Sequence, residues 1–382
     1  MSLRKKNKLH IVVSEDWSFW SHRLSLALSA INAGYEVTLI TNVNKLEKEI
    51  QAKGIKIVNV NFTRSSKFPF TDILNIFKLF FIFKKEKPDV IHNVALKTII
   101  ISSIASFFVK NVSVINAFTG LGYVFSSKQM QANIIRVFVK PFFLLLTRKS
   151  NVWTIFQNPD DMTLFSKLRL CSSARSVLIR GSGVDTEEFP QSKDLNDVPV
   201  VMLASRMLWD KGVDEFVEAA KRINKKEIKA KFILVGDVDA ANPMSIPVEK
   251  LNEWTKNGYV HWIGHSNNMP ETLASASIIC LPSYREGLPK VLLEAAAIGR
   301  PLIATDVPGC REIVRDGENG ILVGLKDIDS LTNAINTLVL DDKMRVTMGL
   351  KSRTIIETEL SAEIINKQTV KLYELANKNE HL

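Results

Sequence analysis

Short apolar runs recur along the chain, and longer stretches with helical periodicity separate them. In the first half the runs are LHIVVS (9–14), YEVTLIT (35–41), IKIVNV (55–60), DVIHNV (89–94), VSVINA (112–117) and VWTIFQ (152–157). A helical pattern near 21–33 follows the first run, and Gly34 then turns the chain into the second. Near-continuous apolar strands alternating with helices predict a parallel sheet covered on both faces. The polar stretch DTEEFPQSKDLNDVPV (185–200) carries two prolines, interrupts the alternation and is expected to be a linker. The pattern then restarts at VVMLAS (200–205), KFILVG (231–236), YVHWIG (259–264), SIICLP (277–282) and PLIATD (301–306). Helical patterns near 327–340, 342–357 and 361–377 close the chain. The expectation is an α/β protein of two Rossmann-like, doubly wound domains in tandem, 1–185 and 195–360, facing an interdomain cleft. Residues 361–382 are expected to form a helix that packs back on the first domain.

Composition agrees with this division and adds a direction. At 382 residues the chain is too long for one core. Hydrophobic residues make up 46% and charged residues 24%, as in globular proteins. Three scattered cysteines, Cys171, Cys280 and Cys310, point to reduced thiols rather than a disulfide framework, and no Cys/His cluster has zinc-like spacing. The basic N-terminus runs straight into a strand and does not read as a signal peptide. The longest apolar run, Thr98 to Val109, falls short of the ~18–20 residues that span a bilayer. The net charge of +10 is uneven: the first 190 residues hold 26 Lys and Arg against 13 Asp and Glu, the rest 24 against 27. A basic half suggests an anionic partner: nucleic acid, a lipid surface or a phosphorylated substrate.

In open parallel sheets, ligands bind beyond the carboxyl ends of the strands. The residues there in the second half are Arg206 and Lys211, Asp237, His265, and then SYREGLPK before a helix that starts near Pro289. Proline is favoured in a first helical turn. Two cations and a helix N-terminus make a phosphate or diphosphate site. Two glutamates follow. Glu286 lies in the loop, and Glu294 lies about one and a half turns into the helix at 3.6 residues per turn. Two acceptor carboxylates beside a diphosphate site suit a sugar nucleotide, with hydroxyls on its ribose and on its sugar. The plainer reading is a capping Glu286 and a buried Glu294 satisfied by the backbone or an arginine.

REGLPKVLLEAAAIGRPLIATDVPGCREIV resembles the E-x7-E signature of the retaining family 4 glycosyltransferases. ASRMLWDKGVDEFVEAA resembles that family's phosphate-binding segment, and GSGVDTEEF (181–189) its interdomain segment. The resemblance implies the two-domain GT-B fold and a UDP-sugar donor, with no cofactor and no metal. It assigns Arg206 and Lys211 to the donor diphosphate, with Asp237 among the donor-side residues, and Glu294 to the ribose. Ile263 and Gly264 flank the base, and Glu286 with the backbone of Gly287, Leu288 and Pro289 holds the sugar. Glu286, Arg206 and Lys211 are the implied catalytic residues.

The first half resembles a narrower bacterial group through FWSHRLSLALSAINAGYEVTLIT, FTRSSKFPF and AFTGLGYVF, with GDVDAANPMSIP in the second half. Those enzymes extend undecaprenyl-diphosphate sugars with N-acetylgalactosamine or related sugars in O-antigen, capsule and glycan assembly. His22, Arg23, Lys97, Thr119 and Gly120 are the implied acceptor-side residues. The first loop, SEDWSFWSH, lacks the glycines common in the family, and AFTGLG stands where many members have a histidine. His92 reads as a strand-end histidine. The D-x-D triplet at 237–239 matches a manganese motif of another transferase fold, and GLG (120–122) lacks dinucleotide-fingerprint spacing. The segments 68–87 and 134–149 mix aromatics with lysines, as core-facing helices with basic ends or as a docking surface for anionic lipid. The expectation is a cytoplasmic, retaining glycosyltransferase at the inner face of the bacterial membrane, taking a lipid-linked saccharide and no nucleic acid. Rival readings are a sugar-nucleotide epimerase on the same fold and a basic nucleic-acid-binding protein.

Overall fold

The computed structural model describes residues 6–62, 69–120, 144–194, 196–240 and 242–378. The chain divides into two compact units, 1–182 with 365–382, and 183–364. In the first, seven strands form a parallel sheet: β1 (Lys8–Glu15), β2 (Glu36–Asn42), β3 (Lys56–Asn59), β4 (Val90–Val94), β5 (Ser113–Phe118), β6 (Val152–Phe156) and β7 (Ser176–Leu178). Their order is β3-β2-β1-β4-β5-β6-β7. Helices α1 (Asp16–His22), α2 (Leu24–Asn32), α3 (Glu47–Ala52), α4 (Pro69–Glu86), α5 (Leu96–Ser106) and α6 (Pro159–Lys167) connect them.

Strand β1 shows why the sheet is covered on both faces. Leu9, Ile11 and Val13 point into one apolar layer with Leu26 and Ala30 of α2, and Val12 points into another with Leu79 and Phe83 of α4. Alternate residues of a strand face opposite sides, so a strand buried on both is mostly apolar, and a polar exception within β1, His10, is buried as well.

The second unit repeats the plan with β8 (Val200–Ala204), β9 (Lys231–Val235), β10 (His261–Trp262), β11 (Ile278–Leu281), β12 (Leu302–Thr305) and β13 (Gly320–Val323), ordered β10-β9-β8-β11-β12-β13. This is the doubly wound order 3-2-1-4-5-6. Its helices are α7 (Val213–Lys225), α8 (Val248–Lys256), α9 (Met269–Ala274), α10 (Lys290–Ile298), α11 (Pro308–Arg311), α12 (Ile328–Leu340) and α13 (Asp342–Ile355). The last helix, α14 (Ala362–Lys378), lies with the first unit from Ile365 onward. Ile365, Leu372, Tyr373 and Ala376 of α14 join the same apolar layer as α2.

Several local expectations change. The 185–200 stretch is not a linker: Val184 bridges to Ser361, and Phe189 is buried in the second core. The units part at Gly183, whose φ of +64° and close approach to Ser361 and Ala362 leave no room for a Cβ. The helix expected near 21–33 starts at Asp16, directly after β1, and breaks at Arg23. Strand β10 is only two residues long, and the edge strands β7 and β13 were not anticipated. Pro289 caps α10 rather than entering its first turn. The segments 63–68, 121–143 and Ala241, which fall within FTRSSKFPF, AFTGLGYVF with GLG, the 134–149 stretch and GDVDAANPMSIP, lie outside the described residues. Cys171, Cys280 and Cys310 are buried and unbonded to one another.

Candidate active site

The loops leaving β8 and β11 are built against each other. After β8 the chain forms a short turn, Trp209–Lys211, and enters α7 through Gly212 in the left-handed region at φ +73°. A Cβ on Gly212 would sit 2.1 Å from the Pro282 carbonyl oxygen, so the β11 loop rests on a bare backbone. The Tyr284 amide and the Ser283 hydroxyl both donate to the Asp210 carbonyl, at 2.9 and 3.2 Å. The Tyr284 hydroxyl donates to Glu215 Oε1 at 2.6 Å, and the Lys326 ammonium stands 4.5 Å over the Tyr284 ring. On the far side, a Cβ on Gly309 would come within 2.5 Å of the Gly287 carbonyl. Small residues and hydrogen bonds thus fix the loop that carries Glu286. They bring Glu286 Oε1 to 2.6 Å from Lys211 Nζ, with side chains only 12 and 20% exposed.

Arg206 has another partner. Its Nη1 lies 2.7 Å from Asp239 Oδ2, in the loop after β9. Asp237 faces the His265 ring across 3.8 Å, so the two aspartates of the D-x-D triplet face different side chains. Among the described residues no cluster of three His, Cys, Asp or Glu side chains is placed to hold a metal ion. The exits of β9 and β10 are tied by Gly236 N to Gly264 O at 2.7 Å and by Trp262 Nε1 to Gly236 O at 2.9 Å. Beside this tie Ile263 is exposed, and a Cβ on Gly264 would meet nothing within 4 Å. That leaves open space where a base is expected.

Glu294 is buried inside α10, and its partner is Lys290 one turn earlier, Nζ to Oε1 3.1 Å. Burial raises its carboxyl above the usual carboxylate range, Lys290 pulls it back, and Glu188 adds to the rise. Neither an arginine nor the backbone supplies the partner. The two glutamates are therefore held by different lysines. The N-terminus of α10, with Leu288 and Pro289 leading into it, lies in the chain between them.

In the first unit only Thr119 and Gly120 of the expected acceptor-side residues directly follow a strand; His22 ends α1, Arg23 lies at the break before α2, and Lys97 opens α5. Arg23 is buried; its Nη1 donates to the carbonyls of His22 and Gly181 at 3.2 and 3.5 Å, which makes it an internal strut. His22 Nδ1 lies 3.2 Å from the Ser18 carbonyl. Lys97, in the first turn of α5, pairs with Asp72 of α4 at 3.2 Å. Thr119 and Gly120 follow β5. Where a glycine-rich loop is common in the family, two acids shape the turn instead. The Asp16 carboxylate accepts from the amides of Trp17, Asn44 and Leu46, and Glu15 accepts from the side chains of Asn42 and Asn44. This holds Trp17, a half-exposed aromatic in the first turn of α1 that no motif marks. His92 is structural: it is buried in β4 with Nδ1 2.6 Å from the Tyr373 hydroxyl, and burial pulls its pKa down to about 3.

The supporting roles of Tyr284, Glu215, Gly309 and Lys290 had no motif to announce them. Only the glycine of WDKG and the D-x-D triplet were visible signals.

Residues 185–354 match the family model "Glycosyl transferases group 1", and residues 8–152 match "Glycosyl transferase 4-like". The chain is 27% identical over 375 residues, 95% of its length and 97% of the relative's, to the N,N'-diacetylbacillosaminyl-diphospho-undecaprenol alpha-1,3-N-acetylgalactosaminyltransferase of Campylobacter jejuni. It is 26% identical, over 75% of each chain, to the UDP-Gal:alpha-D-GlcNAc-diphosphoundecaprenol alpha-1,3-galactosyltransferase of Escherichia coli. Among solved structures it resembles Anabaena HepE in complex with UDP and glucose, with a TM-score of 0.77 at 16% identity over 97% of this chain and 100% of that one. It also resembles the sucrose-phosphate synthase of Thermosynechococcus elongatus, with a TM-score of 0.80 at 19% identity over 97 and 99%. At these identities the structural likeness shows the fold, which is GT-B.

Proposed function

The chain belongs to the group 1 and 4-like glycosyltransferases, and we propose that it moves a sugar from a UDP-sugar to a saccharide carried on polyprenyl diphosphate. The sugar is N-acetylgalactosamine or a related hexosamine or hexose, and the anomeric configuration is retained. The observation that carries this reading is the stitching of the β8 and β11 loops, which holds Lys211 beside Glu286, with Arg206 at the start of the same β8 loop. Cations and a helix N-terminus at strand ends are what a departing diphosphate needs. The relatives named above act on lipid-diphosphate acceptors, and their similarity spans nearly all or three quarters of this chain.

On this reading the base lies by Ile263 and Gly264, Glu294 accepts from the ribose, and Glu286 accepts from hydroxyls of the transferred sugar. Asp237 completes the donor side. The acceptor hydroxyl bonds to the anomeric carbon as the bond to the diphosphate breaks, and its proton passes to the departing phosphate. Arg206, Lys211 and the first turn of α10 take up the developing negative charge, so the charge balance needs no metal or other cofactor. His22, Lys97, Thr119 and Gly120 are the acceptor-side candidates, with Arg23 acting through the backbone it braces.

The acceptor places the enzyme at the inner face of the cytoplasmic membrane. No helix among the described residues is long and apolar enough to cross a bilayer. Helix α4 is suited to peripheral docking: Leu74, Phe77 and Phe81 are 67, 59 and 64% exposed on a helix that also exposes Lys78, Lys84 and Lys85. Exposed aromatics with lysines favour an anionic lipid surface. A thermal-shift panel of nucleotide sugars tests the donor. A UDP-sugar at a hundred times its dissociation constant adds about 2.7 kcal/mol. A panel in which no UDP-sugar raises the melting temperature contradicts the reading.

A further inference from the structure

The D-x-D triplet is absorbed by neither core nor metal site, and its second aspartate has a defined place. Asp239 is anchored independently of its charge: its amide donates to Ser245 Oγ at 3.1 Å and its carbonyl accepts from the Asn242 amide at 2.8 Å. From that anchor its carboxylate meets the Arg206 guanidinium at 2.7 Å. A guanidinium binds carboxylate and phosphate oxygens with the same planar fork of donors. The two partners differ from the Lys211–Glu286 pair in their surroundings. Arg206 is 55% exposed and Asp239 25%, so water screens the pair and an incoming ligand can exchange it.

We propose that Asp239 is an internal stand-in for the donor's phosphate. It holds Arg206 at the strand ends while the site is empty, and it hands the guanidinium to the diphosphate when the donor binds. The proposal rests on the reading of Arg206 as a diphosphate ligand. Part of the phosphate's affinity is then spent on displacing Asp239, so the carboxylate sets how tightly the nucleotide is held and released. Asp239 is a positioning residue here, acting through Arg206.

The test is calorimetric titration of the full-length protein with UDP and, separately, with uridine, which lacks the phosphates. Three proteins are compared: wild type, Asp239→Asn and Asp329→Asn. Asparagine keeps the shape and the backbone hydrogen bonds of residue 239 and removes the charge. Asp329 pairs with Arg222 at 2.5 Å on the same unit, remote in sequence from these loops, and controls for loss of a surface ion pair. The expected result is UDP binding about two- to fivefold tighter in Asp239→Asn, the size an exposed ion pair supports. Uridine affinity stays unchanged, and Asp329→Asn resembles wild type. UDP binding that is unchanged or weaker in Asp239→Asn, or uridine tightened equally, overturns the proposal. Absence of UDP binding in the wild type overturns the donor reading itself and this proposal with it.

Discussion

Arg206 and Lys211 are five residues apart in sequence, yet each is met by a carboxylate from a different loop. Cations held in this way are aimed before the substrate arrives, and preorganised charge is the largest contribution to stabilising a leaving group. Replacing Arg206, Lys211 or Glu286 with alanine is expected to lower kcat/KM by about 10²–10³-fold each. Melting temperatures should stay close to wild type, because none of the three is fully buried. Parallel steady-state assays and thermal melts check this. Glu294→Ala differs, since it empties a buried position and strands Lys290, so stability falls together with activity. The four charged residues were legible in the sequence because strand ends and the seven-residue interval mark them. Their partners were not, because Asp239 for Arg206 and Lys290 for Glu294 depend on which loops meet and on which rotamers fit.

At the scale of elements, the central strands were the most legible part of the chain, since β1, β4 and β5 are mostly apolar and almost wholly buried. The edge strands β7 and β13, three and four residues long, carry too few apolar positions to stand out from loop sequence. The early start of α1 was hidden because no side chain caps it and the turn is braced instead by Glu15 and Asp16 accepting from Asn44 and Leu46, which no glycine or apolar periodicity signals. Helix α4 poses a question of function. Its inner positions, Leu79 and Phe83, are core, while Leu74, Phe77 and Phe81 stand in solvent at successive turns. Changing the latter three to serine is expected to abolish co-sedimentation with anionic liposomes at low salt, while activity on a detergent-dispersed acceptor persists. Wild-type protein should leave the same liposomes when salt is raised, because screening weakens the lysine contribution.

For the molecule as a whole, the first unit carries most of the positive charge and also two buried, neutral histidines. Burial lowers His10 to about 4 and His92 to about 3, against an ordinary value of 6.5. A folded-state pKa below the unfolded one means that the unfolded chain takes up the proton first as pH falls. The stability these sites allow is therefore complete above about pH 6.5 and declines toward pH 4 and 3. Each site contributes a slope of about 1.4 kcal/mol per pH unit within that window. Urea midpoints measured from pH 7 to 4 should fall, and His92→Gln should flatten the fall. The two doubly wound parallel sheets were readable from alternation, whereas their 3-2-1-4-5 strand order and the point where the units part, at Gly183 rather than within 185–200, required the packing of the strands and of Val184 and Phe189. The central claim is sugar transfer driven by the Lys211 and Arg206 site. Its most direct measurement follows a UDP-hexosamine panel by NMR, with and without a polyprenyl-diphosphate-linked saccharide, using wild type and Lys211→Ala. The account predicts UDP release coupled to a new α-linked product with one donor, only when acceptor is present, and nearly lost in Lys211→Ala. Isomerised donor without acceptor, or transfer undiminished in Lys211→Ala, would contradict it.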